Sequence, residues 1–184
     1  LPVLDVPGWI DFAGSGGDNG FISTVDVKAD ELQAFGWRFP NTALNLEPAK
    51  DEIVISLQGE SLQGTLHVPT AGLAQRGITA QFDHLHLLEE DRELTAARKS
   101  TNLATIPPLH VAMDDLWLGQ GHFGTARLES TPMANGMRVE HFETHSSNMD
   151  ISARGDWEDR GMGERSRFVI DFSAQNLGHM LDAL

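Results

Sequence analysis

Cysteine is absent from the 184 residues. That excludes a disulfide framework, a thiolate zinc site and a thiol nucleophile, and it fits an oxidising compartment where stray pairing is avoided. Basic residues are scarce: 13 against 27 acidic ones give a formal charge of −14. Such a chain repels phosphate backbones, so no nucleic-acid partner is expected. The carboxylates are scattered rather than blocked, which reads as a solvated surface and not an acidic docking patch. No apolar run approaches the roughly 20 residues of a helical membrane span, so an anchor would lie outside this sequence. The start at Leu1, with no charged-then-apolar leader, reads as a piece excised from a longer polypeptide. Length suffices for a sizeable core, in one domain or in two intimately packed repeats.

What the chain does contain is alternation of period two. Ile53, Ile55 and Leu57 alternate with Val54, Ser56 and Gln58. Leu66 and Val68 alternate with Thr65 and His67, and Phe168, Ile170 and Phe172 with Val169, Asp171 and Ser173. This spacing gives each strand one apolar face. Turn signals at Gly59-Glu60, Pro69 to Gly72, Asn135-Gly136 and Asp159 to Gly161 separate the strands. Asn135-Gly136 reads as a tight hairpin in which both residues take positive φ.

The alternation is also duplicated. Val27, Asp30, Leu32, Phe39, Leu44 and Pro48 recur 84 residues later as Val111, Asp114, Leu116, Phe123, Leu128 and Pro132. One inserted residue later, Val54, Leu57, Ser61 and Leu66 line up with Val139, Phe142, Ser146 and Ile151, and after a longer intervening loop Ile78 to Phe82 lines up with Phe168 to Phe172. Val139 and Phe142 are three apart and need a β-bulge to share a face. A repeat this long suggests units that each leave a face for a neighbour to cover.

The expected fold is therefore all-β: two repeats of about five antiparallel strands in a curved, groove-like sheet, with short helices in connectors. Strands are expected near 20–28, 36–47, 52–58, 62–69 and 77–87, then 109–118, 121–131, 136–144, 147–157 and 164–174. The domain reading is a flexible lead-in over 1–19, a first repeat over 20–88, a connector over 89–108, a second repeat over 109–175 and a short helix over 176–184. Glu90 to Lys99 reads as a short surface helix within the connector. Asn176 caps the terminal helix, whose Leu177, Met180, Leu181 and Leu184 fall at helical spacing. A one-faced sheet must cover its apolar side. Either two sheets close on a dry core, or the sheet curls into a trough that a ligand fills; periodicity leaves both open.

Signals for chemistry are poor. Ser15 in Ala13 to Gly17 lacks the first glycine of a nucleophile elbow and reads as a glycine-rich loop. His84 and His86 share a strand face beside Asp83, but two imidazoles without a third ligand read as surface residues, and no metal is expected. His141 and His145 have helical spacing where a strand is expected, and the glutamate of a zinc-protease motif is missing. Trp9, Trp37, Trp117 and Trp157 read as edge or core packing rather than as a sugar-stacking or membrane-interface set. No cofactor and no enzymatic activity are expected.

The order of phrases in the second half resembles a known family. Pro108 to Gly119 is followed by Gly124 to Glu129, Gly136 to Glu140, Met149 to Trp157 and Arg167 to Leu184, and the first half contributes Leu62 to Pro69. Together they resemble the C-terminal part of the YhdP branch of the AsmA-like proteins, over about residues 20 to 184. The resemblance implies a large Gram-negative envelope protein, held in the inner membrane by an N-terminal anchor outside this sequence and crossing the periplasm. It implies repeating β-groove units that move phospholipid passively between inner and outer membranes, and it brings no catalytic residues. On this reading Ile53, Ile55, Leu57, Leu66, Val68, Phe82, Phe142, Ile151, Phe168, Ile170 and Phe172 line a groove for acyl chains. The rival reading is a β-sandwich scaffold or protein-interaction module of the envelope with a filled core.

Overall fold

The computed structural model describes residues 4–5, 24–34, 37–88, 106–159 and 164–174. The strands are β1 (Leu4–Asp5), β2 (Val25–Ala34), β3 (Trp37–Pro48), β4 (Glu52–Gln58), β5 (Leu62–Pro69), β6 (Ile78–Leu87), β7 (Leu109–Leu118), β8 (Gly121–Met133), β9 (Gly136–His145), β10 (Met149–Asp159) and β11 (Glu164–Ala174). One four-residue helix, α1 (Leu73–Arg76), sits in the β5–β6 turn. All the strands belong to a single open, curved sheet in chain order.

Period-two alternation is why these segments are strands, and the pairing follows from connection length. Strands joined by short turns are antiparallel: β2 to β6 form one meander and β7 to β11 another. The long segment between Leu87 and Leu109 instead brings β7 back parallel to β6, as a crossover of a dozen or more residues permits. Backbone bonds close both ends of this seam, Ile78 N–H donating to Pro108 O at 2.8 Å and Gly119 N–H to Leu87 O at 2.8 Å. β1 repeats the arrangement in miniature, lying parallel to β2 with Leu4 opposite Leu32. In the seam Leu85 stands opposite Leu116, and Leu116 is Leu32 shifted by the 84-residue offset.

The strand expectations meet the structure closely at 52–58, 62–69, 109–118 and 164–174. β2 lies later than expected, at Val25–Ala34. Of the lead-in expected over 1–19, Leu4–Asp5 form the short strand β1; the rest of it, with the glycine loop, the predicted surface helix at 90–99 and the terminal helix at 176–184, lies outside the described residues.

Two expectations need correction. Positive φ occurs among the described residues at Asn41 and at Gly72, Gly77, Gly119 and Gly124, but not at Asn135 or Gly136. Gly136 answers a different demand: a Cβ there would come within 2.0 Å of Trp157 O. The repeat alignment also slips. The ladder follows Leu46–Ile55–Leu66–Ala80 in one meander and Ser130–Val139–Gly155–Phe168 in the other. Val139 therefore corresponds to Ile55, not Val54, and Ile151 to Leu62, not Leu66. By the parallel ladder through Leu44 and Leu128, Phe82 corresponds to Ile170, not Phe172. The expected bulge accounts for the first slip: Glu129 faces His141 and Ser130 faces Val139, so Glu140 is left over and Val139 and Phe142 share a face. The other two come with the longer β9–β10 hairpin, in which Phe142 pairs with Ala153 where Leu57 pairs with Gly64 in the first meander.

Candidate functional site

Cross-strand partners in a sheet lie on the same face, so the register can be followed from one strand to the next. One row reads Val25, Leu46, Ile55, Leu66, Ala80, Val111, Leu128, Phe142, Ala153, Ile170. Two residues away on every strand, hence on the same face, a second row reads Val27, Leu44, Leu57, Gly64, Phe82, Met113, Ala126, Thr144, Ile151, Phe172. Every position is apolar except Gly64, which has no side chain, and Thr144. The two rows form an apolar lane that crosses ten strands and passes the parallel seam without a break. At about 4.8 Å per strand spacing its contour length is roughly 43 Å.

The eleven residues expected to line a groove all fall on this face. Eight occupy the two rows; Ile53 and Val68 are paired with each other beside them, and Phe168 stands opposite Gly155 on the same flank as Val139. Their burial differs along the lane. Leu57 is buried, whereas Ile53, Ile55, Leu66, Val68, Phe82, Phe142 and Ile151 are half-buried. Phe168, Ile170 and Phe172 on β11 are 39%, 59% and 58% exposed. Packing beneath the lane comes in three clusters: one around Leu32, Phe39, Leu44 and Leu57, one around Met113, Leu116, Phe123 and Met149, and one joining Ile106 to Met137 and Val139. Phe82 and Leu85 pack against the first two clusters at once and connect them across the seam. Two separately closed sandwiches would have left those cores unconnected.

Sequence reasoning missed about half of the lane. Val25, Val27, Leu44, Leu46, Val111, Met113 and Leu128 were visible as apolar residues, but only the register shows that they continue the rows. Ala80, Ala126 and Ala153 carry too weak an apolar signal to stand out alone. Within the lane's face two hydroxyls are out of character. Ser130 and Thr144 are 1% and 3% exposed, and neither side-chain oxygen has a hydrogen-bond partner among the described residues.

The opposite face is polar and held by cross-strand pairs. Asn45 donates to Asp26 at 2.6 Å, Gln63 to Asp83 at 2.8 Å, Gln81 to Asp114 at 3.1 Å and Arg138 to Asp156 at 2.7 Å. His110 pairs with Glu129, and His145 with Asp150. Glu129 is held below the usual carboxylate range: burial opposes ionisation, but hydrogen bonds from His110 and Arg127 outweigh it.

At the seam the outer face carries a denser cluster. Asp115 meets His86 Nε2 at 3.1 Å and His122 Nε2 at 2.8 Å, and Trp117 Nε1 donates to it at 3.1 Å. Trp117 stacks on His122 with centroids 4.6 Å apart. Burial raises the Asp115 pKa, and the bonds from His86, His122 and Trp117 more than reverse that, leaving it lowered. The same offset of 84 maps this cluster onto the first meander, where Gln33 donates to Glu31 at 2.7 Å and Arg38 lies 3.9 Å from it. An acid near the end of the meander's first strand, fed by the residue two places on and by the next strand, is thus common to both. His84 turns elsewhere, 3.3 Å from Gly59 O. No group of three or more metal-ligating side chains occurs among the described residues. Ser15 lies outside the described residues.

A one-faced, open, repeated sheet with an unbroken apolar lane agrees with the resemblance in the sequence, and a family comparison decides the membership. The family model described as "YhdP protein" matches residues 1–184. The chain belongs to the YhdP family. Comparison with curated proteins and with solved structures brings no match. For this YhdP family member no helix among the described residues is long and apolar enough to cross a membrane.

Proposed function

We propose that this chain is a segment of a periplasmic bridge that moves phospholipids between the inner and outer membranes, with acyl chains sliding along the apolar lane. The parent polypeptide is anchored in the inner membrane outside the present sequence. The two meanders, over 20–88 and 109–175 and linked by 89–108, act as successive units of one groove. The single observation that carries this reading is the continuity of the two apolar rows through the parallel seam. A scaffold needs a packed core; it has no need for a lane that runs unbroken between units.

The energetics favour such a path. Each methylene kept from water is worth roughly 0.8 kcal/mol, so an acyl chain of ordinary length stays in the lane rather than crossing solvent unshielded. Roughly 43 Å of contour exceeds the approximately 30 Å hydrocarbon thickness of a bilayer, enough for the extended tails of one lipid. Headgroups remain outside the lane, in water. No residue here is assigned covalent chemistry, and direction is supplied by a gradient or a partner.

The half-buried state of Ile53, Ile55, Leu66 and Val68 supports an open wall in the first meander. A carboxylate on an open wall hydrates locally, whereas in a dry core it unfolds the protein. Ile55→Asp is therefore expected to keep the fold, measured by circular dichroism, and to lower capture of a photo-crosslinkable phospholipid several-fold. Unfolding of this variant, together with an unmodified chain that captures no lipid, would return Ile55 to an ordinary core and favour the sandwich scaffold.

A further inference from the structure

We propose that the parallel seam between β6 and β7 carries a proton-tightened latch on its outer face: His86 and His122 hold the Asp115 carboxylate more firmly in mild acid than above neutrality. The two meanders meet at this seam, and parallel pairing is slightly the less stable kind per residue. Its inner side sets Ala80 beside Val111 and Phe82 beside Met113. Side chains that fasten β6 to β7 therefore fasten one unit to the next.

A bulge builds the latch. Met113 and Leu116 pack in the same cluster although they are three residues apart, because the β7–β8 register shifts between them. Plain alternation leaves one outward residue between two inward ones; the bulge leaves two, Asp114 and Asp115. Asp114 accepts from Gln81 of β6 at 3.1 Å. Asp115 meets His86 Nε2 of β6 at 3.1 Å through Oδ2 and His122 Nε2 of β8 at 2.8 Å through Oδ1, so one carboxylate ties three strands. Burial raises the Asp115 pKa, but the bonds from His86, His122 and Trp117 leave it lowered. The carboxylate thus stays ionised across pH 5 to 8, the range in which imidazoles change charge.

The first meander supplies the comparison. At the offset of 84, Asp115, Trp117 and His122 become Glu31, Gln33 and Arg38, and Arg38 lies 3.9 Å from Glu31. A guanidinium is always charged; an imidazole gains its charge only as pH falls. The equivalent acid therefore meets a fixed charge in one unit and a proton-dependent charge at the seam. A neutral imidazole donates a hydrogen bond, and protonation adds ion-pair attraction, present in mild acid and lost as pH rises. Other charged groups around the latch have their own partners. Asp83 of β6 takes Gln63 of β5, His84 meets Gly59 O in the turn that also holds Glu60, His67 of β5 pairs with Glu52, and Arg127 of β8 turns to Glu129. Where the lane carries lipid, the latch sets how firmly its two halves stay joined; that consequence rests on the function proposed above, whereas the latch itself does not.

The test reads amide hydrogen exchange of the 184-residue chain at pH 5.5 and 7.5, each rate divided by the intrinsic rate at that pH. The Gly119 amide donates to Leu87 O beside the latch, and its protection is expected to be at least about threefold higher at pH 5.5. Ile78 N–H, bonded to Pro108 O at the far end of the same seam, serves as internal control and gains less. In the double variant His86→Gln, His122→Gln the gain at Gly119 is expected to disappear. His122→Arg, which copies Arg38, is expected to raise protection at pH 7.5 and so shrink the gain. His145→Gln, which breaks a pair with Asp150 between β9 and β10, is expected to leave it intact. Equal protection of Gly119 at both pH values, a gain that survives loss of both imidazoles, or a gain shared equally by Ile78 would overturn the proposal. No lipid enters the measurement, so its failure is distinct from failure of the lipid-path reading.

Discussion

Thr144 and Ser130 place hydroxyls, without hydrogen-bond partners among the described residues, on a face that is otherwise apolar. Leaving a buried hydroxyl unsatisfied costs about 1–3 kcal/mol, so Thr144→Val, close in shape, is expected to raise stability by about 1 kcal/mol in urea unfolding; a loss would mean that the oxygen has a partner in solution. Acid sensitivity arises at other residues. Asp115 and Glu129 are both held below their ordinary carboxylate values in the folded chain. Their contribution is fully present above the unfolded carboxylate pKa, near 4, and is lost as pH falls through the lowered folded values. Asp115 is 39% exposed at its side chain, so the contribution is of the surface kind, roughly 0.2–1 kcal/mol per pair. The double variant Asp115→Asn, Glu129→Gln should therefore lower the urea midpoint at pH 7 and narrow the gap between pH 7 and pH 3; an unchanged gap would remove these carboxylates from the account.

At the scale of elements, the bulges and one glycine decide which side chains reach the lane. Gly124 has φ of 69°, and a Cβ there would lie 2.2 Å from His145 O. Gly124→Ala is expected to destabilise by at least about 1 kcal/mol, the usual cost of a residue forced into the left-handed region, and to loosen the β8–β9 pairing in hydrogen exchange. Most strands could be read from the sequence because one face is apolar and the period is two: Ile53 to Gln58 and Phe168 to Ser173 announce themselves. The turn at Asn135-Gly136 was found but its conformation was not, because glycine serves positive φ and close approach alike, and only coordinates separate the two. The alignment of Val54 with Val139 failed for a related reason. A bulge adds one residue and inverts the parity of everything beyond it, and a sequence offset does not record which strand absorbed the extra residue. β1 and α1 are too short to carry a period.

On the scale of the whole molecule, a lane and a filled core have the same alternation, so the sequence could supply the apolar faces but not their continuity. Continuity depends on the parallel seam, where Ala80 meets Val111 and Phe82 meets Met113. The family resemblance pointed to a groove, and the register reaches an unbroken apolar face by independent means. Phe82 is the joint between the two main clusters, so Phe82→Asp should cost stability as well as lipid capture, unlike Ile55→Asp; equal behaviour of the two would place both on the same kind of wall. The most direct measurement is native mass spectrometry of the 184-residue chain after exposure to phospholipid vesicles, paired with photo-crosslinking from a diazirine acyl chain and peptide mapping of the adducts. The account predicts bound phospholipid with adducts on lane residues of both meanders, Ile55 and Leu66 in one and Phe142 and Ile151 in the other. A folded chain that binds no lipid, or adducts confined to the polar outer face, would contradict it.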